Sequence, residues 1–151
     1  MTDRFDERAL AQLRALGLGA LAERMGIEIV EFTRERAVAT LPVAGNTQPI
    51  GLLHGGAYAV LGEQLGSMHA NAFAPEGRFA VGVDINATHT GSARSGVVTA
   101  VCIPIQLGRS IAVHEVVVCD ENGKRCSTVR ITNFYKSAKP DVSPSSAPAD
   151  R

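Results

Sequence analysis

Apolar residues recur at helical spacing near the start of the chain. Leu10, Leu13, Leu16, Leu18 and Leu21 form a stripe with charges between them. The pattern predicts a helix over 3–24, capped by Asp3 and broken or bent where Gly17 and Gly19 interrupt it. Partial alternation predicts two strands over 27–33 (Ile27, Ile29) and 36–43 (Val38, Leu41, Val43), joined by the charged turn Thr33-Arg34-Glu35-Arg36. A loop follows, with Gly45, Asn46 and Pro49 supplying turn chemistry. Residues 54–74 are apolar nearly all round and long enough for about five helical turns, the pattern of a helix wrapped by other structure. Four β-rich segments follow, at 79–90, 96–107, 110–119 and 125–135. Asp120-Glu121-Asn122-Gly123 marks a hairpin between the last two. The Pro- and Ser-rich stretch 137–151 is expected to be a disordered tail.

The order is helix, two strands, one long buried helix, then four strands. One helix enclosed by a curved antiparallel sheet, an α+β answer, buries both. A small sheet leaves part of such a helix open, so a second copy of the chain is the expected cover. The boundaries are an N-terminal helical segment (1–24), a main domain (25–136) and the tail (137–151).

Composition narrows the function. With 151 residues the chain has the length of one domain. Lys and Arg total 15, as do Asp and Glu, and the absence of a basic excess or stripe argues against a nucleic-acid partner. No apolar run reaches the ~18 residues that span a bilayer, so no membrane partner is expected. Cys102, Cys119 and Cys126 form no CxxC pair and read as reduced, buried thiols. The N-terminus carries no signal-peptide pattern. A cytoplasmic protein is expected.

The chemistry concentrates in the long helix. From Ala37 through Pro75 the one charged residue is Glu63. A carboxylate inside an apolar helix is costly unless paired or neutralised, and no Lys or Arg shares the helix. Ser67, at i+4, lies on the same face and can bond to Glu63 or to a ligand. A solvent-facing position and a remote Arg partner are the other outcomes open to Glu63. His54-Gly55-Gly56 precedes the helix, where free N–H groups and the positive end of the dipole can receive an oxyanion. A plain Gly-rich loop gives the same three residues. Gln48 can orient water or a carbonyl, and His89 can line a pocket. His69 reads as a helix residue near a subunit contact, His114 as structural. Tyr58 and Met68 suit either an acyl pocket or the core. The histidines show no zinc-ligand spacing, so no metal site is expected. GxSxG and P-loop patterns are absent.

These runs resemble a known family. QPIGLLHGGAYAVLGEQLGS (48–67), VGVDINATH (81–89), SARSG (92–96), PIQLGRS (104–110) and DENGKRCS (120–127) are similar to the hotdog-fold acyl-CoA thioesterases of the phenylacetate-degradation and 4-hydroxybenzoyl-CoA type. Within them, the resemblance runs to the group acting on 1,4-dihydroxy-2-naphthoyl-CoA in menaquinone biosynthesis and to the proofreading thioesterases of enterobactin synthesis.

The resemblance implies a single hotdog domain, no cofactor, and a dimer of dimers whose active sites span a subunit interface. Glu63 then matches the catalytic carboxylate, as nucleophile or general base. His54 and Gly55 match the residues at the thioester carbonyl, and Gln48 and Ser67 those that assist the water or acyl group. Gly82, the stretch His89-Thr90-Gly91-Ser92 and the stretch Gln106-Leu107-Gly108-Arg109-Ser110-Ile111 match segments that contact the acyl-CoA. Glu63 and Ser67 come from one subunit, and Gln48, His54 and Gly55 from the other. One departure stands out: relatives carry Arg where this chain has Gly91, leaving Arg94 or Arg109 to meet the CoA phosphates. An enoyl hydratase on this fold uses an Asp/His pair at other positions. A non-catalytic acyl-CoA-binding module has no use for a lone carboxylate such as Glu63.

Overall fold

The computed structural model describes residues 4–137. Asp3 and the tail beyond Ser137 lie outside the described residues. The N-terminal segment is two helices, α1 (Glu7–Leu16) and α2 (Ala20–Met25), where one interrupted helix was expected. Asp6 caps α1 by accepting from the Arg8 N–H at 2.8 Å. Gly17 and Gly19 hold φ of 63° and 84° between the helices, a region that side chains with a Cβ avoid. Phe32 and the Arg4–Asp6 backbone exchange two hydrogen bonds, which ties the chain start to β1.

Six strands form one antiparallel sheet in the order β1-β2-β4-β5-β6-β3. They are β1 (Glu28–Phe32), β2 (Ala37–Pro42), β3 (Arg78–His89), β4 (Val97–Leu107), β5 (Ile111–Cys119) and β6 (Arg125–Ser137). The 120–123 turn forms as expected: Asp120 Oδ1 accepts from the N–H groups of Asn122 and Lys124, an Asx turn. Helix α3 (Gly55–Ala72) packs against the sheet, touching β2, β3, β4, β5 and β6.

Two glycines let α3 approach that closely. A Cβ on Gly62 would stand 2.6 Å from a Val129 methyl, and one on Gly66 would collide with Ile131. The other side of α3 is partly covered by the chain itself. Gln12 Nε2 donates to Met68 O, and Gln64 Nε2 donates to Leu18 O. Ala9 and Ala22 join the main core. The expectation that a second copy supplies the cover is therefore corrected in part: α1 and α2 supply some of it.

His69 is fully buried within the chain, against Phe32 and Phe73. It does not stand at a surface contact, as the sequence suggested. Its Nε2 donates to Thr33 O at 2.9 Å, so its Nδ1 is the acceptor for His114 Nε2, also at 2.9 Å. Burial lowers the pKa of both rings, which favours their neutral forms, and His114 Nδ1 has no partner among the described residues. Burial, reinforced by His69, pushes the His114 pKa down to about 3.

Folded His114 therefore binds a proton far less readily than it does unfolded, where its pKa lies near 6.5. Its contribution to stability is complete above about pH 6.5 and is lost progressively as pH falls toward 3. A His114→Gln chain can still donate to His69 but cannot titrate there. Urea unfolding at pH 7 and pH 4.5 is expected to show a smaller loss of stability for this variant than for the wild type. Equal losses would contradict the assignment.

Candidate active site

The loop before α3 is fastened by backbone and side-chain bonds. Asn46 Nδ2 donates to Met25 O and Pro42 O, and Asn46 O accepts from His54 N–H. Gln48 and Leu52 close a tight turn in which Gly51 holds φ 78°. His54 is the N-cap of α3: its Nδ1 accepts from Gly56 N–H at 2.8 Å. That bond leaves the imidazole proton on Nε2, facing outward as a donor. The Gly55 N–H, first in the helix, has no intrahelical acceptor.

His89 closes the same corner. Its Nδ1 meets Ser127 Oγ at 3.0 Å, and its ring lies 5.3 Å from that of Tyr58. A Cβ on Gly55 would stand 3.0 Å from His89 Nε2. Tyr58 is buried beneath, its pKa raised to about 12 by desolvation first and the neighbouring Cys126 second.

Glu63 belongs to a different group of residues. It is half-buried, and Ser67 Oγ donates to its Oε1 at 3.1 Å. Among the described residues no Lys, Arg or His pairs with it. Gly82, on β3, lies against the same carboxylate: a Cβ there would stand 2.8 Å from Glu63 Oε1. Val83 is the extra residue of a β-bulge in the β3·β6 pairing, a distortion that often re-aims side chains beside active sites. Asn133 of β6, paired with Gly82, completes the group with its Oδ1 at 3.1 Å from Ser67 Oγ.

Gly82→Ala places a methyl against the end of a flexible side chain, which can swing aside. The variant is expected to fold with an unchanged melting temperature while its kcat/KM falls about 10–100-fold through displacement of Glu63. Wild-type kcat/KM in the folded variant would show that this contact does not aim the carboxylate.

The remaining matched residues separate. Thr90 and Gly91 donate their N–H groups to Cys126 O. A Cβ on Gly91 would stand 2.6 Å from Arg125 O, so any side chain at that position requires a backbone shift. Thr90 and Ser92 are exposed. Gln106 and Leu107 end β4, Gly108-Arg109-Ser110 form the turn and Ile111 begins β5, at the opposite end of α3. There Leu107, Gly108 and Arg109 line an open cavity of about 510 Å³ with Arg8, Arg34 and Phe73.

Two thiol and core expectations need adjustment. Cys102 and Cys126 are buried, but Cys119 is only half-buried. Burial raises the Cys102 thiol to about 12, which keeps it protonated and unreactive. Met68 packs into the main core beside α1, the second of the two readings given for it.

Comparison with known proteins gives the site its context. The family model described as the thioesterase superfamily matches residues 50–127, which include His54, Gly55, Glu63, Ser67, Gly82 and His89 but neither Gln48 nor Asn133. The chain belongs to the thioesterase superfamily. The "Proofreading thioesterase EntH" of Cronobacter turicensis is 43% identical over 124 residues, 82% of this chain and 90% of that protein. The crystal structure of thioesterase HI1161 from Haemophilus influenzae superposes with a TM-score of 0.78 at 36% identity, covering 92% of this chain and 96% of that one. Thioesterase PA1618 of Pseudomonas aeruginosa, solved as a point mutant, gives 0.77 at 34% identity, covering 87% and 93%. This member of the superfamily is a single hotdog domain with a long helix and a six-stranded antiparallel sheet. Membership and the named relatives make it a thioester hydrolase. Sequence reasoning gave no role to Asn133 or to Ser127, which share the buried face of β6 with Val129, Ile131 and Tyr135.

Proposed function

We propose that the chain hydrolyses an aromatic acyl-CoA thioester, such as 1,4-dihydroxy-2-naphthoyl-CoA, to the free acid and CoA, with Glu63 as the reacting carboxylate. The observation that carries this reading is the environment of Glu63: half-buried, without a cationic partner among the described residues, and bonded to Ser67. A carboxylate so placed has a free oxygen for chemistry. A thioester carbonyl is already electrophilic and thiolate leaves readily. The reaction needs an activated oxygen and a receptor for the oxyanion. Glu63 either deprotonates water or attacks directly to give a mixed anhydride. The Gly55 N–H and the His54 Nε2–H are the donors for the oxyanion.

The oxyanion donors and the carboxylate serve one carbonyl only if two chains contribute. Eight residues separate Gly55 from Glu63 on α3, about 12 Å along the axis. Gln48, His54 and Gly55 of one subunit therefore act with Glu63 and Ser67 of another. The edge strand β3 supports the pairing: among the described residues it bonds to β6 alone, and Val83 and Ile85 are exposed on it. Bare edges of this kind invite a second strand. A dimer, doubled into a dimer of dimers, is the assembly proposed, in the cytoplasm and without cofactor. His89-Thr90-Gly91-Ser92 and the 106–111 turn, with Gly82, are the acyl-CoA contacts in this reading. Arg94 or Arg109 meets the CoA phosphates in place of an Arg at position 91.

A second reading, proofreading of aryl-carrier-protein thioesters, is favoured by the 43% identity to a protein named for that activity. Thiol release from benzoyl-CoA, 1,4-dihydroxy-2-naphthoyl-CoA, hexanoyl-CoA and a hydroxybenzoyl-carrier-protein thioester separates the two. Highest kcat/KM on the naphthoyl-CoA supports the first reading, and highest kcat/KM on the carrier-protein thioester supports the second. No release from any of them would leave only an acyl-CoA-binding module.

A further inference from the structure

Two half-buried asparagines in this fold hold backbone together. Asn46 bonds to two carbonyls, and Asn71 bonds to Ser67 O, Ala80 O and Ala80 N–H. Asn133 does nothing of the kind. It is fully buried, touches no backbone group by hydrogen bond, and reaches only Ser67 Oγ. Among the described residues its Nδ2 has no partner.

The three side chains do not balance as they stand. Ser67 Oγ lies 3.1 Å from Glu63 Oε1 and 3.1 Å from Asn133 Oδ1. Ionised Glu63 and an amide oxygen both only accept, and a hydroxyl has one proton. One of the two contacts therefore lacks a hydrogen, while an NH2 nearby lacks an acceptor. Turning the Asn133 amide by 180° exchanges its oxygen and nitrogen with little change of shape. The NH2 then donates to Ser67 Oγ, and the Ser67 proton goes to Glu63. Donor meets acceptor along the whole chain.

We propose that Asn133 is a positioning residue that acts on Glu63 through Ser67. Its amide holds the hydroxyl in the rotamer that donates to Glu63 Oε1, which leaves Oε2 to face water or the thioester. Gly82 makes room for the arrangement, because a Cβ there would press on the carboxylate. The inference rests on the reading of Glu63 as the reacting carboxylate.

Asn133→Leu tests it, since leucine branches at Cγ as asparagine does and makes no hydrogen bond. With benzoyl-CoA as substrate, kcat is expected to fall about tenfold with KM little changed. A thermal melt of each variant shows that it is folded. Ser67→Ala gives the same changes, and the double variant is no slower than Ser67→Ala alone. If the Leu variant does not fold, Asn133→Val, favoured in strands, is read by the same measurements. A folded variant with wild-type kcat overturns the proposal, as does a double variant whose losses multiply. Glu63→Gln is assayed alongside. If it is active, the reading of Glu63 fails and takes this inference with it. If it is inactive while Asn133→Leu behaves as wild type, only the inference fails.

Discussion

Glu63→Gln is expected to lower kcat/KM by at least about a thousandfold while the protein stays folded. Glutamine keeps the shape and can still accept from Ser67, but it can neither deprotonate water nor form a mixed anhydride. Glu63 has no cationic partner among the described residues, so the substitution leaves no charge stranded, and the melting temperature should be unchanged or slightly higher. Steady-state hydrolysis of benzoyl-CoA and a thermal melt of the same preparation check both halves. A Gln chain with wild-type turnover would remove Glu63 from the chemistry, and with it the attack proposed above.

Mixing two dead variants should restore activity. Glu63→Ala and His54→Ala each remove one half of every composite site. Refolded together, half of the dimers are mixed on random pairing. In each of those, one site carries both defects and the other neither. Activity should return to about a quarter of the wild-type value per total protein. Differently tagged chains show whether mixed dimers have formed. Mixed dimers as inactive as their parents would place Glu63 and His54 in the service of the same subunit's site, despite the ~12 Å along α3 that separates Gly55 from Glu63.

The carboxylate was legible because charge patterning is local. A single Glu in a segment otherwise free of charge stands out without any coordinates, and a Ser at i+4 must share its face. The N-terminal cap was legible for the same reason: His54 and two glycines precede a long apolar run. Asn133 was not legible. It sits on β6 among residues whose buried positions alternate, and nothing in that alternation says that its neighbour across the pair is Gly82 or that Ser67 lies above it. His69 misled for a related reason. A histidine on a helix looks like a surface group until Thr33 O and His114 are brought to its two nitrogens by distant parts of the chain.

The sequence by itself determined the element order, the long apolar helix with one carboxylate, the 120–123 turn and the break at Gly17–Gly19, because each depends on residues within a few positions of one another. Only the tertiary structure decided the rest. Strand order β1-β2-β4-β5-β6-β3 and the bulge at Val83 join residues some 50 positions apart, and they bring Gly82 and Asn133 beneath Glu63. The separation of the matched residues into a group at the start of α3 and another at its middle follows from the rise of the helix. A motif read along a line does not show that its two halves face different places. Periodicity reports which face a residue occupies, whereas contact across a sheet is set by register and packing.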